Sequence, residues 1–198
     1  MKELKVRLTF TEEILGTASS DPEIHKEFIA SKAPDAPSRE EEVAAVGVDG
    51  VVEKSKTVFP RNERGEPVLF DYQIKGFFKD ACGMLARVKS GNESSKLKAY
   101  KKVIDGLIFV SPRMAPFALN GDVGSFQRPL RAQTAQGERV ALANSETLPA
   151  GTYVDITVSC LSDELIAAVK EWLKYGELRG IGQWRNSGKG RFVYAELS

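Results

Sequence analysis

Two segments far apart in the chain alternate apolar and polar residues without a break, and that period restricts the architecture before any motif is considered. In Leu4–Phe10, Leu4, Val6, Leu8 and Phe10 share one side while Lys5, Arg7 and Thr9 share the other. A period of two belongs to a strand with one face buried and one wet. Thr152–Cys160 repeats the pattern with Val154, Ile156, Val158 and Cys160 inward, and Arg191–Leu197 alternates again. Strands of this kind form antiparallel sheets covered on one side only.

The covering layer is legible as helices. From Asp71, the residues Ile74, Phe77, Phe78, Ala81, Cys82 and Leu85 recur at spacings of three and four, which predicts an amphipathic helix capped by Asp71. A second helix is expected from Ser95 through Leu97, Tyr100, Val103 and Ile104, leading into a strand over Leu107–Val110 that Pro112 ends. Ser162 is expected to cap a helix with the stripe Leu165, Ile166, Val169, Trp172 and Leu173, closed by Gly176. The order strand, helix, strand, strand, helix, strand is the split βαβ arrangement. The expected fold is therefore α+β: a ferredoxin-like (RRM-type) βαββαβ domain over 1–198, with insertions at about 22–66 and 112–150 and a C-terminal glycine-rich loop.

The insertions are less regular. Asp21-Pro22 predicts a short helix to about Ala30, Ser31–Ser38 reads as a linker, and 39–56 shows no clean period. Thr57–Pro60 and Pro67–Phe70 flank a polar turn and suggest a small hairpin. Residues 112–150 read as a long hairpin or loop rather than core.

Net charge decides little, since 28 basic residues face 27 acidic ones. Local clustering does more: the acidic Arg39–Glu42 contrasts with basic Arg87–Lys102 and Arg179–Arg191. Cys82 and Cys160 lack CxxC spacing and fall on apolar faces, as buried reduced thiols do. The chain shows neither a signal-peptide pattern nor an apolar run near membrane-spanning length, so cytoplasm is expected and a membrane partner is not.

The densest chemistry lies in Arg179–Arg191, RGIGQWRNSGKGR, where glycines and cations alternate with no acid. Glycine lets backbone N–H groups approach an anion, the cations neutralise phosphates, and Trp184 offers a face to a base. The alternative is a glycine-rich connector with Trp184 packed in the core. The phosphate-loop signature fails because Gly190 follows Lys189.

This loop and the strand after it resemble the C-terminal glycine-rich loop of the RAMP superfamily, the RNA-binding subunits of CRISPR effector complexes and their processing nucleases. Gly65–Leu85 is similar to the backbone-subunit segment in which a short strand meets a helix through a Ser/Gln-x-Lys-Gly turn, with Gln73, Lys75 and Gly76 at the matching places. Arg128–Leu142 and Leu148–Thr152 resemble the family's later hairpin and strand start more loosely. The chain is also similar to small prophage-borne proteins that look like a lone backbone subunit. The resemblance implies single-stranded, crRNA-like RNA along a basic groove, CRISPR effector subunits as partners, copies stacked as a homo-oligomer or filament, and a role in antiviral defence or against it as an anti-CRISPR.

On that footing the expected RNA-binding residues are Lys75, Lys79, Arg128, Arg131, Arg139, Arg179, Gly182, Trp184, Arg185, Gly188, Lys189 and Arg191, with Phe126 beside Arg128 as a wedge. Lys96, Lys98, Lys101 and Lys102 form either a basic stripe or a solvated face. The enzyme alternative is a metal-dependent endoribonuclease using Asp21, although Asp21 before Pro22 also suits a helix cap. His25, the one histidine, could act as a base or simply be solvated. No cofactor and no resident metal site are expected. A third alternative is an assembly protein whose basic loop meets an acidic protein face.

Overall fold

The computed structural model describes residues 1–20, 56–89, 91–134 and 137–198, with the side chains of 130–142 left aside. Asp21, His25, the expected helix to Ala30, the acidic Arg39–Glu42 and nearly all of 39–56 lie outside the described residues. In chain order the strands are β1 (Lys2–Phe10), β2 (Ile14–Leu15), β3 (Ala18–Ser19), β4 (Thr57–Val58), β5 (Val68–Phe70), β6 (Ile108–Ser111), β7 (Met114–Pro116), β8 (Gly124–Thr134), β9 (Gly137–Leu148), β10 (Tyr153–Cys160) and β11 (Phe192–Glu196). The helices are α1 (Asp71–Leu85), α2 (Glu93–Lys96), α3 (Tyr100–Leu107) and α4 (Leu165–Arg179).

The central sheet runs β11-β1-β10-β6, antiparallel throughout. Register puts Val6 opposite Ile156 and Leu8 opposite Val154, so the apolar faces of β1 and β10 coincide. That face is covered by α1 and α4, which bury Phe77, Phe78 and Cys82, and Val169, Trp172 and Leu173, in one cluster with β1, β10 and Phe192. Trp172 keeps its polar atom satisfied by donating from Nε1 to Ser94 Oγ at 2.9 Å. The opposite face is polar. There the Arg7 guanidinium forks onto Asp155 through two bonds of 2.7 Å and lies 3.9 Å over the Tyr153 ring.

A second sheet carries β9 beside β2, β4 and β8, with β3 beyond β4. Its join to β4 is made by Glu146, which accepts from the Phe59 backbone N–H at 2.8 Å and from the Arg61 guanidinium. A third sheet pairs β5 with β7.

Several expectations need correction. The turn at 61–67 forms, with Asn62 donating its N–H to Glu66 O at 3.0 Å, but its flanks enter different sheets, because β4 pairs with β3 and β9 while β5 pairs with β7. Residues 112–150 do supply a long hairpin, β8–β9, yet they also supply core: Ala115, Phe117 and Leu148 are buried. The single helix expected from Ser95 is two, and Asn92 caps the first by accepting from Ser95 N–H at 2.9 Å. Asp71 is the first helical residue rather than the cap, and Gln73 instead reaches back to accept the Phe70 N–H at 2.9 Å. Helix α4 starts three residues after Ser162, which contributes its carbonyl to Leu165 N–H and no side-chain cap. It also runs past Gly176, where a side chain would collide with the Phe192 ring, and ends at Gly180. Both cysteines are buried and unpaired, as the sequence suggested.

Candidate functional site

The loop after α4 is a stitched structure. Gly180 turns the chain with φ 74°, and a Cβ there would stand 2.7 Å from Lys189 O and Arg191 N, so the loop's two ends pass backbone to backbone. Ile181 N–H donates to Gly190 O at 2.9 Å, Gly190 N–H to Glu13 O at 2.8 Å and Thr11 N–H to Arg191 O at 2.9 Å. The neck is thereby bonded to the segment joining β1 to β2. Between the two ends, Gly182 and Gly188 adopt φ of 90° and 85°, and Trp184, a residue with a Cβ, is held at φ 54°. A non-glycine residue there carries strain of order 1 kcal/mol.

Three of the loop's cations, Arg179, Arg185 and Lys189, have protein partners. Arg179 Nε donates to Asp80 at 3.0 Å and Arg185 Nη1 to the same carboxylate oxygen at 2.7 Å, while Arg179 Nη1 reaches Asn186 at 2.7 Å. Lys189 Nζ meets Glu13 at 2.8 Å. Arg191 is exposed, its guanidinium beside Gly188. Arg179, Gly182, Trp184, Arg185 and Asn186 line an open cleft of about 250 Å³.

Strand β8 brings Phe126 and Arg128 to the same place. Lys189 sits 5.2 Å over the Phe126 ring, Phe126 lies 5.2 Å from the Trp184 ring at 44°, and Arg128 lies 4.7 Å over Trp184. Arg128 is only 8% exposed. Its Nη2 donates to Gln183 at 3.2 Å, whereas Nε and Nη1 are buried with no partner. Burial depresses its pKa.

Of the residues expected from sequence, Arg128, Arg179, Gly182, Trp184, Arg185, Gly188, Lys189 and Arg191 converge here. Lys75 and Lys79 do not join them: Lys75 donates to the Asp105 carbonyl at 3.2 Å and Lys79 pairs with the Asp105 carboxylate at 2.6 Å. Arg131 and Arg139 lie in the outer part of the β8–β9 hairpin, their side chains outside the description. In the lysine stripe, Lys96 pairs with Glu93 at 2.7 Å and Lys98, Lys101 and Lys102 are exposed. Asp80, Glu13 and Gln183 were missed. Nothing in a lone acid on a helix face or beside a strand announces a partner a hundred residues away. Among the described residues, no three His, Cys, Asp or Glu side chains gather as a metal site would need.

A solved structure shares this fold. All of the chain superposes on a chain of the cryo-EM structure of the Type III-B Cmr-beta bound to cognate target RNA, with TM-score 0.54 and 9% identity. The protein spans 60% of that chain's length. No family model matches the sequence, and no curated protein does. The architecture is thus an α+β fold shared with that chain. No helix among the described residues is long and apolar enough to cross a membrane.

Proposed function

We propose that the chain is a non-catalytic, single-stranded RNA-binding module of the RAMP type, a backbone-like subunit that joins or imitates part of a CRISPR effector complex. The sheet order β11-β1-β10-β6 with α1 and α4 on one face supports a ferredoxin-like frame, one domain with additions at about 22–66 and 112–150. The shared fold supports the effector link, and the likeness to prophage-borne proteins supports a lone, phage-carried version acting in the cytoplasm. The observation that carries the RNA reading is the cluster of Phe126 and Arg128 from β8 with Trp184 and Lys189 of the loop, beside the open cleft that Trp184, Arg179 and Arg185 line. Arginine forks grip phosphate and aromatic rings suit single-stranded bases.

Fluorescence anisotropy with a labelled oligouridine across a salt series tests this. Four free loop cations would give a slope of about −3 in log affinity against log salt. Since Asp80 and Glu13 already hold three of them, the expected slope is shallower, and R185A/K189A should weaken binding and flatten it further. Unchanged affinity and slope in a folded double variant would reduce the loop to a connector. Those same carboxylate contacts favour a second reading, in which the loop cations meet an acidic protein face during assembly; binding to effector subunits without RNA would support it.

A further inference from the structure

Among the described residues, Arg128 is the buried cation of this cluster that meets no carboxylate. A guanidinium offers five N–H donors and no acceptor. Arg128 commits one nitrogen to Gln183, and two others, Nε and Nη1, are shut away from water without a partner. Orphaned buried donors cost stability, so packing alone does not account for the placement. Over the guanidinium, at 4.7 Å, lies the ring of Trp184, a residue whose backbone is strained at φ 54° between two glycines of positive φ and which also lines the open cleft. At 37% exposed, the indole faces open space on its cleft side.

Building on the RNA reading above, we infer that Arg128 is a phosphodiester anchor kept beneath Trp184 until a single strand enters the cleft, and that binding exchanges the indole contact for a bidentate contact with a backbone phosphate. The planar fork matches two phosphate oxygens through Nη2 and one of the two orphaned nitrogens, so the exchange satisfies a donor left open in the free protein. Trp184 is then a cap on Arg128 rather than an open platform for a base.

The test compares the wild type with R128M and R128K by thermal unfolding without RNA and by anisotropy with labelled oligouridine. R128M is expected to unfold at the wild-type temperature or above, and to lose about 10- to 100-fold in affinity. R128K, with its charge kept and its fork lost, should fall in between. Trp172 is fully buried, so a shift in tryptophan emission on adding RNA to the wild type reports Trp184 and is expected. Wild-type affinity in both variants would overturn the inference while leaving the RNA reading in place. So would a lower unfolding temperature for R128M together with wild-type binding by R128K, which makes Arg128 structural, or an unmoved emission with RNA bound. A wild type that binds no oligouridine would bring down the RNA reading itself, and this inference with it.

Discussion

Asp80 decides how much of the basic loop is available to a partner, because Arg179 and Arg185 share one oxygen of its carboxylate. D80N keeps the shape and removes the charge. On the RNA-binding reading proposed above, the expected result is tighter binding and a salt slope steeper by about 0.7, one phosphate's worth, at a stability cost within about 1 kcal/mol, since these pairs are partly solvated. Cys160 gives a second handle: burial pushes its thiol up to about 11 from 9.0. The folded state holds that proton more tightly than the unfolded one, so the associated stability is complete below about pH 9 and is lost as pH rises towards 11. Denaturant titrations across that window should show the decline, and C160A should remove part of it. The sequence disclosed the inward residues of β1, β10, α1 and α4 because burial imposes a period. It disclosed nothing of Asp80 or Gln183, since a partner distant along the chain leaves no period behind.

Strand β9 owes its place to a buried acid. Glu146 accepts the Phe59 N–H and the Arg61 guanidinium, so it fastens β4 and the turn after it to the long hairpin. E146Q retains an acceptor for the Phe59 N–H and should cost about 1 kcal/mol. E146A strands that buried donor and should cost about 1–3 kcal/mol more, read from urea unfolding. The long periodic elements were legible for the reason their residues were. The two-residue strands β2 and β3 were not, and β4 was expected at Thr57–Pro60 but with other partners, because so short a segment carries no period and is made a strand by what it pairs with. The same cause hid the core role of 112–150, where Ala115 and Leu148 are buried by β5 and β2 rather than by neighbours in sequence.

The frame of the molecule is held by its most distant segments: β1 lies between β10 and β11, and Phe192 stacks edge-on against Phe10 at 6.0 Å and against Phe77 at 5.3 Å. A chain ended at Gly190 loses that ring and one side of β1. Removing a core phenylalanine alone costs about 3–5 kcal/mol against a net stability of about 5–15, so the truncated chain should show no cooperative unfolding transition by circular dichroism. The strand order was legible as far as the alternating segments reached, whereas the placement of β8 beside the loop was not, since a hairpin's position depends on which sheet accepts its base. The bond from Gly190 to Glu13 joins positions separated by nearly the whole of the sequence. During synthesis, therefore, the cleft cannot form before Arg191 has left the ribosome and its segment has reached Thr11 and Glu13. A nascent copy shorter than that has the two alternating strands β1 and β10 but no basic neck between them and the loop.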